Sequence, residues 1–230
     1  SDAMTWNALR NTLLFVLFTV PVGVFLSLIF AALLNSKIRG RDTYRAIYFL
    51  PMVVAPAAVA MVWKWIYNSS FGLINNTFGL SVNWISSPKI AIYSIGVIGI
   101  WSVIGYNMVL FLAGLQEVPK DYYEAASLDG ANGFNQFIHI TVPLISPTIF
   151  FVLVTRVIGA MQVFDVIYML IDYNNPALKK TESLVYLFYK YSFEQSKKGY
   201  GATVIVVLLA VIMVLTVVQL IGQKKWVHYE

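Results

Sequence analysis

The chain has 230 residues, of which 59% are hydrophobic and 12% charged, with a mean hydropathy of +0.71; soluble domains carry about 25% charged residues. Its net charge of +5 is gathered in short clusters between long apolar runs, which is the pattern of a membrane protein with several spans. Such clusters report orientation and headgroup contact rather than nucleic-acid affinity, and the lack of cysteine excludes disulfides and thiolate metal or redox chemistry.

Five apolar runs reach the roughly 20 residues that cross a hydrocarbon core of about 30 Å. The first covers about 12–34, carries no charge and holds Pro21. The second covers about 46–67 and contains Pro51 and Pro56; the third runs from 90 to 115, the fourth from 144 to 171 and the fifth from 200 to 222. No run alternates apolar and polar residues as the strands of a membrane barrel do, so helices are the form that satisfies the backbone in lipid. The expected fold is an all-α membrane protein, a polytopic bundle in one transmembrane domain over 1–230.

The loop after the first run holds Lys37, Arg39, Arg41 and Arg45 against Asp42, and the tail adds Lys224 and Lys225. The positive-inside rule puts both in the cytoplasm. Five spans then place the 116–143 loop inside and the N-terminus outside, although the outer 172–199 segment also carries Lys179, Lys180, Lys190, Lys197 and Lys198. An outside start leads us to expect that a further N-terminal helix precedes this sequence. Trp63, Trp65, Tyr67, Trp84, Trp226 and Tyr229 fall at span ends, as an interfacial aromatic belt does. The triplets at Asn68 and Asn75 match a glycosylation pattern that arises often by chance.

The stretch DYYEAASLDGANGFNQFIHITVPL, 121–144, is the most polar in the chain. Asp121 and Glu124 have capping-box spacing, residues 122–129 favour helix, and Gly130 and Gly133 end it. Tyr122, Ala125, Ala126 and Leu128 offer too little apolar surface for a lipid anchor. The helix reads either as a docking knob for another protein or as a structural elbow.

The residues Glu124, Ala125, Ala126, Asp129 and Gly130, followed by Ile140-Thr-Val-Pro143, resemble the Glu-Ala-Ala loop of permease subunits in binding-protein-dependent ABC importers. NALRNTLLF (7–15), YRAIYFLPMVVAPAAVAMVWKWIYNSSFGLIN (44–75) and FDVIYML (164–170) resemble the maltose-type, oligosaccharide-importing subclass. That family usually has six or more spans, in keeping with a missing first helix. The resemblance implies a cytoplasmic coupling helix made of Tyr123, Glu124, Ala125, Ala126, Leu128, Asp129 and Gly130, seated in a cleft of an ATPase subunit. It further implies a second permease subunit (a paralogue or a second copy), two ATPases carrying ATP and Mg, an extracytoplasmic solute-binding protein, and a bacterial or archaeal inner membrane. The chain has no phosphate-binding loop, no nucleophile-base pair and no metal-ligand cluster, so neither enzymatic activity nor a cofactor of its own is expected. His139 and His228 stand alone.

Polar and charged groups inside a membrane are costly and face a cavity or a partner. Arg156, Gln162 and Asp165 in the fourth run, Tyr106 and Asn107 in the third, and Gln219 in the fifth are such groups. In maltose-type permeases the sugar site is built midway through the bundle from the spans flanking the coupling loop. By that resemblance Tyr106, Asn107, Arg156, Gly159, Ala160, Gln162 and Val163 are the candidate solute pathway. The alternative is that Arg156 pairs with a carboxylate of a partner permease and the small residues only pack helices. A mid-membrane cation suits a solute with a carboxylate or phosphate, and the expected solute is an acidic oligosaccharide. An outer helix is expected near 182–194, where the binding protein docks or where the loop is simply solvated. An ion-coupled secondary transporter and a structural subunit are the rival classes.

Overall fold

The computed structural model describes residues 2–36 and 40–228, and all of their regular structure is helical. Lys37, Arg39 and Tyr229 lie outside the described residues. Helix α1 (Asp2–Asn35) carries its buried hydroxyls without cost, because each bonds a carbonyl of the preceding turn: Thr12 to Ala8 at 2.8 Å, Thr19 to Phe15 at 2.7 Å and Ser27 to Gly23 at 2.6 Å. Thr12, Thr19, Gly23 and Ser27 therefore form a small, satisfied stripe, and α1 lies along α5 (Ala91–Glu117). The small residues of α5 admit the rings of α1. A Cβ on Gly96 would come within 2.6 Å of Phe18 Cδ1, and one on Gly99 within 3.0 Å of Phe15 Cζ.

The second apolar run, 46–67, is not one straight span. Helices α2 (Arg41–Val53) and α3 (Pro56–Ile66) meet at 99°. Pro56 forces the residue before it out of the helical region, and Val54 and Ala55 are extended at ψ 137° and 132°. Helix α2 then lies against α5, where the bare Gly105 leaves room for the Tyr48 backbone, while α3 packs on a later helix, α10 (Asp165–Leu170). The short α4 (Leu73–Phe78) follows in the outer loop. Asn75 organises that loop by donating to the carbonyls of Ser69 and Val82, at 3.0 and 2.9 Å, and accepting from Trp84 Nε1 at 2.7 Å. Trp84 in turn stacks on Tyr67, and Trp63 meets Tyr67 and Trp101.

After α5 come α6 (Lys120–Leu128), α7 (Gly133–Gln136), a π-helical turn at Phe137–Thr141, α8 (Val142–Leu144) and α9 (Ser146–Met161). The Gly133–Leu144 and Ser146–Met161 segments meet at 68°. The fourth run, 144–171, is also interrupted: α9 stops at Met161, and α10 (Asp165–Leu170) begins after a break. The last turn tightens, with Gln162 N bonding Gly159 O at 3.2 Å and Val163 N bonding Ala160 O at 3.3 Å. The freed Val163 carbonyl is taken by Ser183 Oγ at 2.6 Å, from the outer segment. That segment holds α11 (Leu178–Thr181) and α12 (Leu184–Tyr189), which continues as a π-helical turn over Lys190–Glu194. The expected outer helix is thus present, but it is no solvated loop, since Leu184, Tyr186, Leu187 and Tyr191 are buried. Helix α13 (Lys198–Gln223) completes the chain.

Among the described residues α1, α5 and α13 are long and apolar enough to cross a membrane, and the count rises to five if each bent pair is one span. The ends sort into two faces. Arg41 and Arg45 approach Gln116 at the end of α5, and His228 N donates to Ser146 Oγ at 2.9 Å, so the basic loop, the 116–143 loop and the tail share one face. On the other, Asn11 donates to the carbonyls of Lys179 and Glu182, both at 3.1 Å, and Lys64 pairs with Asp172 at 3.0 Å.

Candidate functional site: a cavity within the bundle and a helix on the basic face

The break between α9 and α10 opens a cavity of about 260 Å³ among α1, α5 and α9. Of the expected pathway residues, Asn107, Arg156, Gly159, Ala160, Gln162 and Val163 all line it. Tyr106 is the exception: it is not in the wall, but its ring lies 5.7 Å below the Arg156 guanidinium and supports it by a cation–π contact. A Cβ on Gly159 would make ordinary contact with Arg156 Nη2, at 3.8 Å, so the guanidinium does not require a glycine there. Both amide atoms of Asn107 and the Nε of Arg156 are buried and make no hydrogen bond among the described residues. Arg156 forms no ion pair with Asp165, although both line the cavity. Buried polar groups in native proteins are nearly always bonded, so the unbonded atoms of Asn107 and Arg156 mark this cavity as the candidate site.

Sequence reasoning missed the wall that α1 contributes: Phe15, Thr19, Val20, Gly23 and Val24. The recurrence of Thr12, Thr19, Gly23 and Ser27 on one face was the available signal. Gln219, on α13, takes no part in the cavity.

The expected knob on the basic face is helix α6. It starts two residues earlier than the capping-box reading required, because Pro119 at φ −62° and ψ 138° occupies the cap position without a side-chain bond. Asp121 sits in the first turn instead, where its charge suits the helix dipole. Gly130 at φ +79° makes the sharp exit, a conformation open to glycine at no steric cost. Glu124, Ala125, Leu128, Asp129 and Gly130 are exposed, Leu128 by 90%. The inward side is bolted down: Tyr123 Oη meets Thr141 Oγ1 at 2.9 Å, and Gln136 Nε2 donates to Ser127 Oγ at 2.9 Å. Ala126 is half-buried between the two faces. A rigidly held helix with an outward Leu128 has the form of a protein-docking element. His139 Nδ1 bonds the Asn135 carbonyl at 3.0 Å within this loop, and no group of metal-ligating side chains occurs among the described residues.

Comparison with known proteins agrees over nearly the full length. The family described as binding-protein-dependent transport system inner membrane component matches residues 12–226. The trehalose/maltose transport system permease protein of Thermococcus litoralis is 35% identical, over 94% of this chain and 73% of its own. The sn-glycerol-3-phosphate transport system permease protein of Agrobacterium fabrum is 34% identical, over 100% of this chain and 79% of its own. In fold, a chain of the bacterial alginate ABC transporter in complex with alginate pentasaccharide-bound periplasmic protein superposes with a TM-score of 0.87 at 22% identity, covering 95% of this chain and 78% of that one. The chain therefore belongs to the binding-protein-dependent transport system inner membrane component family, and is a membrane-embedded permease of the ABC transporter type.

Proposed function

We propose that this permease forms half of the translocation pathway of an ATP-driven importer for a carbohydrate, and that its solute is an acidic oligosaccharide. One observation carries the second part: Arg156 lies in a largely apolar cavity with no carboxylate paired to it among the described residues, in the same wall as the unbonded amide of Asn107. A guanidinium donates to a carboxylate in a bidentate fork, and Asn107 can both donate to and accept from hydroxyls. Asp165, in the same wall, accepts from further hydroxyls. The names of relatives include trehalose/maltose, arabinooligosaccharide and sn-glycerol-3-phosphate transport, that is, carbohydrates and one phosphate-bearing solute.

In this account α6 is the coupling helix. Glu124, Ala125, Leu128, Asp129 and Gly130 face a cytoplasmic ATPase subunit, with Tyr123 and Ala126 on the inner side. Closure of two ATPases on ATP moves α6 as a rigid body, and the attached α5 and α9 rock around the cavity they share. The pathway is completed by a second permease, an extracytoplasmic binding protein delivers the solute, and the complex resides in a bacterial or archaeal inner membrane. ATP hydrolysis belongs to the ATPases.

The test is uptake by the complete transporter in proteoliposomes, comparing a uronate oligosaccharide with a neutral maltooligosaccharide, in wild type and Arg156→Gln. A charge-assisted hydrogen bond contributes about 1.5–3 kcal/mol, so the variant should lose roughly 10- to 100-fold of uronate uptake. Equal uronate uptake by both proteins, or uptake of the neutral sugar alone, would sink the acidic reading.

A further inference from the structure

A second feature has a lining that shares no residue with the cavity. The 99° bend between α2 and α3 leaves a concave groove of about 690 Å³, within the roughly 300–1,000 Å³ of ligand sites. Its wall is aliphatic and aromatic, from Phe30 through Tyr48, Leu50 and Val54 to Trp63 and Trp101. One helical turn before Tyr48, at the basic end of α2, stand Arg45 and, a further turn back, Arg41. The spacing of 41, 45 and 48 puts all three on one face of the helix.

The two guanidinium groups converge on one acceptor. With the Gln116 amide oriented so that its oxygen faces them, it accepts from Arg41 at 2.5 Å and from Arg45 at 3.2 Å. The Nε atoms of both arginines are buried and make no hydrogen bond among the described residues. Among the described residues Arg45 has an ion pair with Asp42, at 3.6 Å, whose side chain is 96% exposed to solvent, so it neutralises little. Two juxtaposed cations held by a neutral amide repel each other, and a shared anion relieves that repulsion.

We propose that this site binds one anionic phospholipid, with its phosphate between Arg41 and Arg45 and an acyl chain in the groove of the α2–α3 bend. The charge and the groove point to the same occupant. A free phosphate would satisfy the arginines and leave the apolar wall exposed. A neutral lipid would fill the groove and leave the cations unpaired. Basic pockets between membrane helices on the cytoplasmic side are suited to such headgroups. The site is distinct from the solute cavity, and it holds whether the transported solute is charged or neutral. A lipid seated there would brace the bent α2–α3 pair against α5.

The experiment is native mass spectrometry of the assembled transporter, delipidated in detergent and then titrated with phosphatidylglycerol, phosphatidylcholine or inorganic phosphate. Wild type should retain phosphatidylglycerol and shed phosphatidylcholine. Arg41→Gln/Arg45→Gln should retain roughly tenfold less phosphatidylglycerol or lower still, while Lys224→Gln/Lys225→Gln should match wild type. Leu50→Trp, which keeps both charges and fills the groove, should also lose the lipid; it decides the matter if the arginine pair cannot be replaced without losing assembly. Equal retention of phosphatidylcholine, full competition by inorganic phosphate, or undiminished binding to Leu50→Trp would each overturn the proposal. So would a cysteine at position 54 that crosslinks efficiently to a partner subunit, since protein would then occupy the groove.

Discussion

Gly105→Ala is the substitution from which the structure predicts the largest effect for the smallest change. A Cβ at position 105 falls on the Tyr48 carbonyl oxygen and within 2.9 Å of Phe49 N, both backbone atoms of α2. A side chain can rotate away from a new methyl, but a helix backbone can only move as a unit. Overpacking in well-filled cores costs about 1–3 kcal/mol, and the absence of a yielding rotamer puts this case at the upper end. For a chain of this size about 3 kcal/mol is a fall on the order of 6–12 °C in Tm. The assay is thermal unfolding of the purified protein in detergent, followed by loss of the monodisperse size-exclusion peak. Gly99→Ala is the internal comparison. Its Cβ would meet side chains alone, the ring end of Phe15 at 3.0 Å and Thr19 Cγ2 at 3.8 Å, so its shift should be a third of the Gly105 value or smaller. A Gly105→Ala protein as stable as wild type would mean that α2 does not lie on α5, and the arginine site at its foot would go with it.

Three further outcomes follow from the outer face and the cavity. Asn11→Leu removes the donor for the carbonyls of Lys179 and Glu182 and should cost about 2–3 kcal/mol, read by the same unfolding assay. Glu182→Gln leaves Lys190 without its partner at 3.2 Å in a site where the two side chains are 10% and 16% exposed; a loss on the order of 2–3 kcal/mol is expected, largely recovered in Glu182→Gln/Lys190→Met. Asn107→Leu should abolish solute uptake without lowering stability, because neither amide atom has a bond among the described residues; a destabilised variant with normal uptake would make Asn107 a packing residue.

Much of this was legible in the sequence. Uninterrupted apolar runs marked α1, α5 and α13, and the small polar segment with its terminal glycine marked α6. The cost of polar groups inside a membrane singled out Asn107, Arg156 and Gln162, and the resemblance to maltose-type permeases added Gly159; all four line one cavity. The bends were harder. Pro51 and Pro56 are both visible within the second run, but hydropathy does not register that only Pro56, through the extended residues before it, divides the helix. The end of α9 is not announced at all: Gln162 to Phe164 carry no proline or glycine, and the break is stabilised by Ser183, far along the chain. Asp121 was misread as a cap because its spacing to Glu124 fits, whereas Pro119 fixes the cap geometry two residues earlier. The convergence of Arg41 and Arg45 on Gln116 is likewise a tertiary fact, invisible to any local pattern.

The claim that this permease takes its power from a separate ATPase through α6 has the most direct test. The permease is expressed with its candidate partners, in wild type and as Glu124→Lys, and the ATPase subunit that stays bound through purification is quantified. The account predicts that an ATPase co-purifies with wild type and is lost from Glu124→Lys, while the variant remains folded, since Glu124 is exposed and its side chain makes no bond among the described residues. An ATPase bound equally to both proteins would place the coupling surface elsewhere, and the absence of any ATPase from wild type would contradict the account.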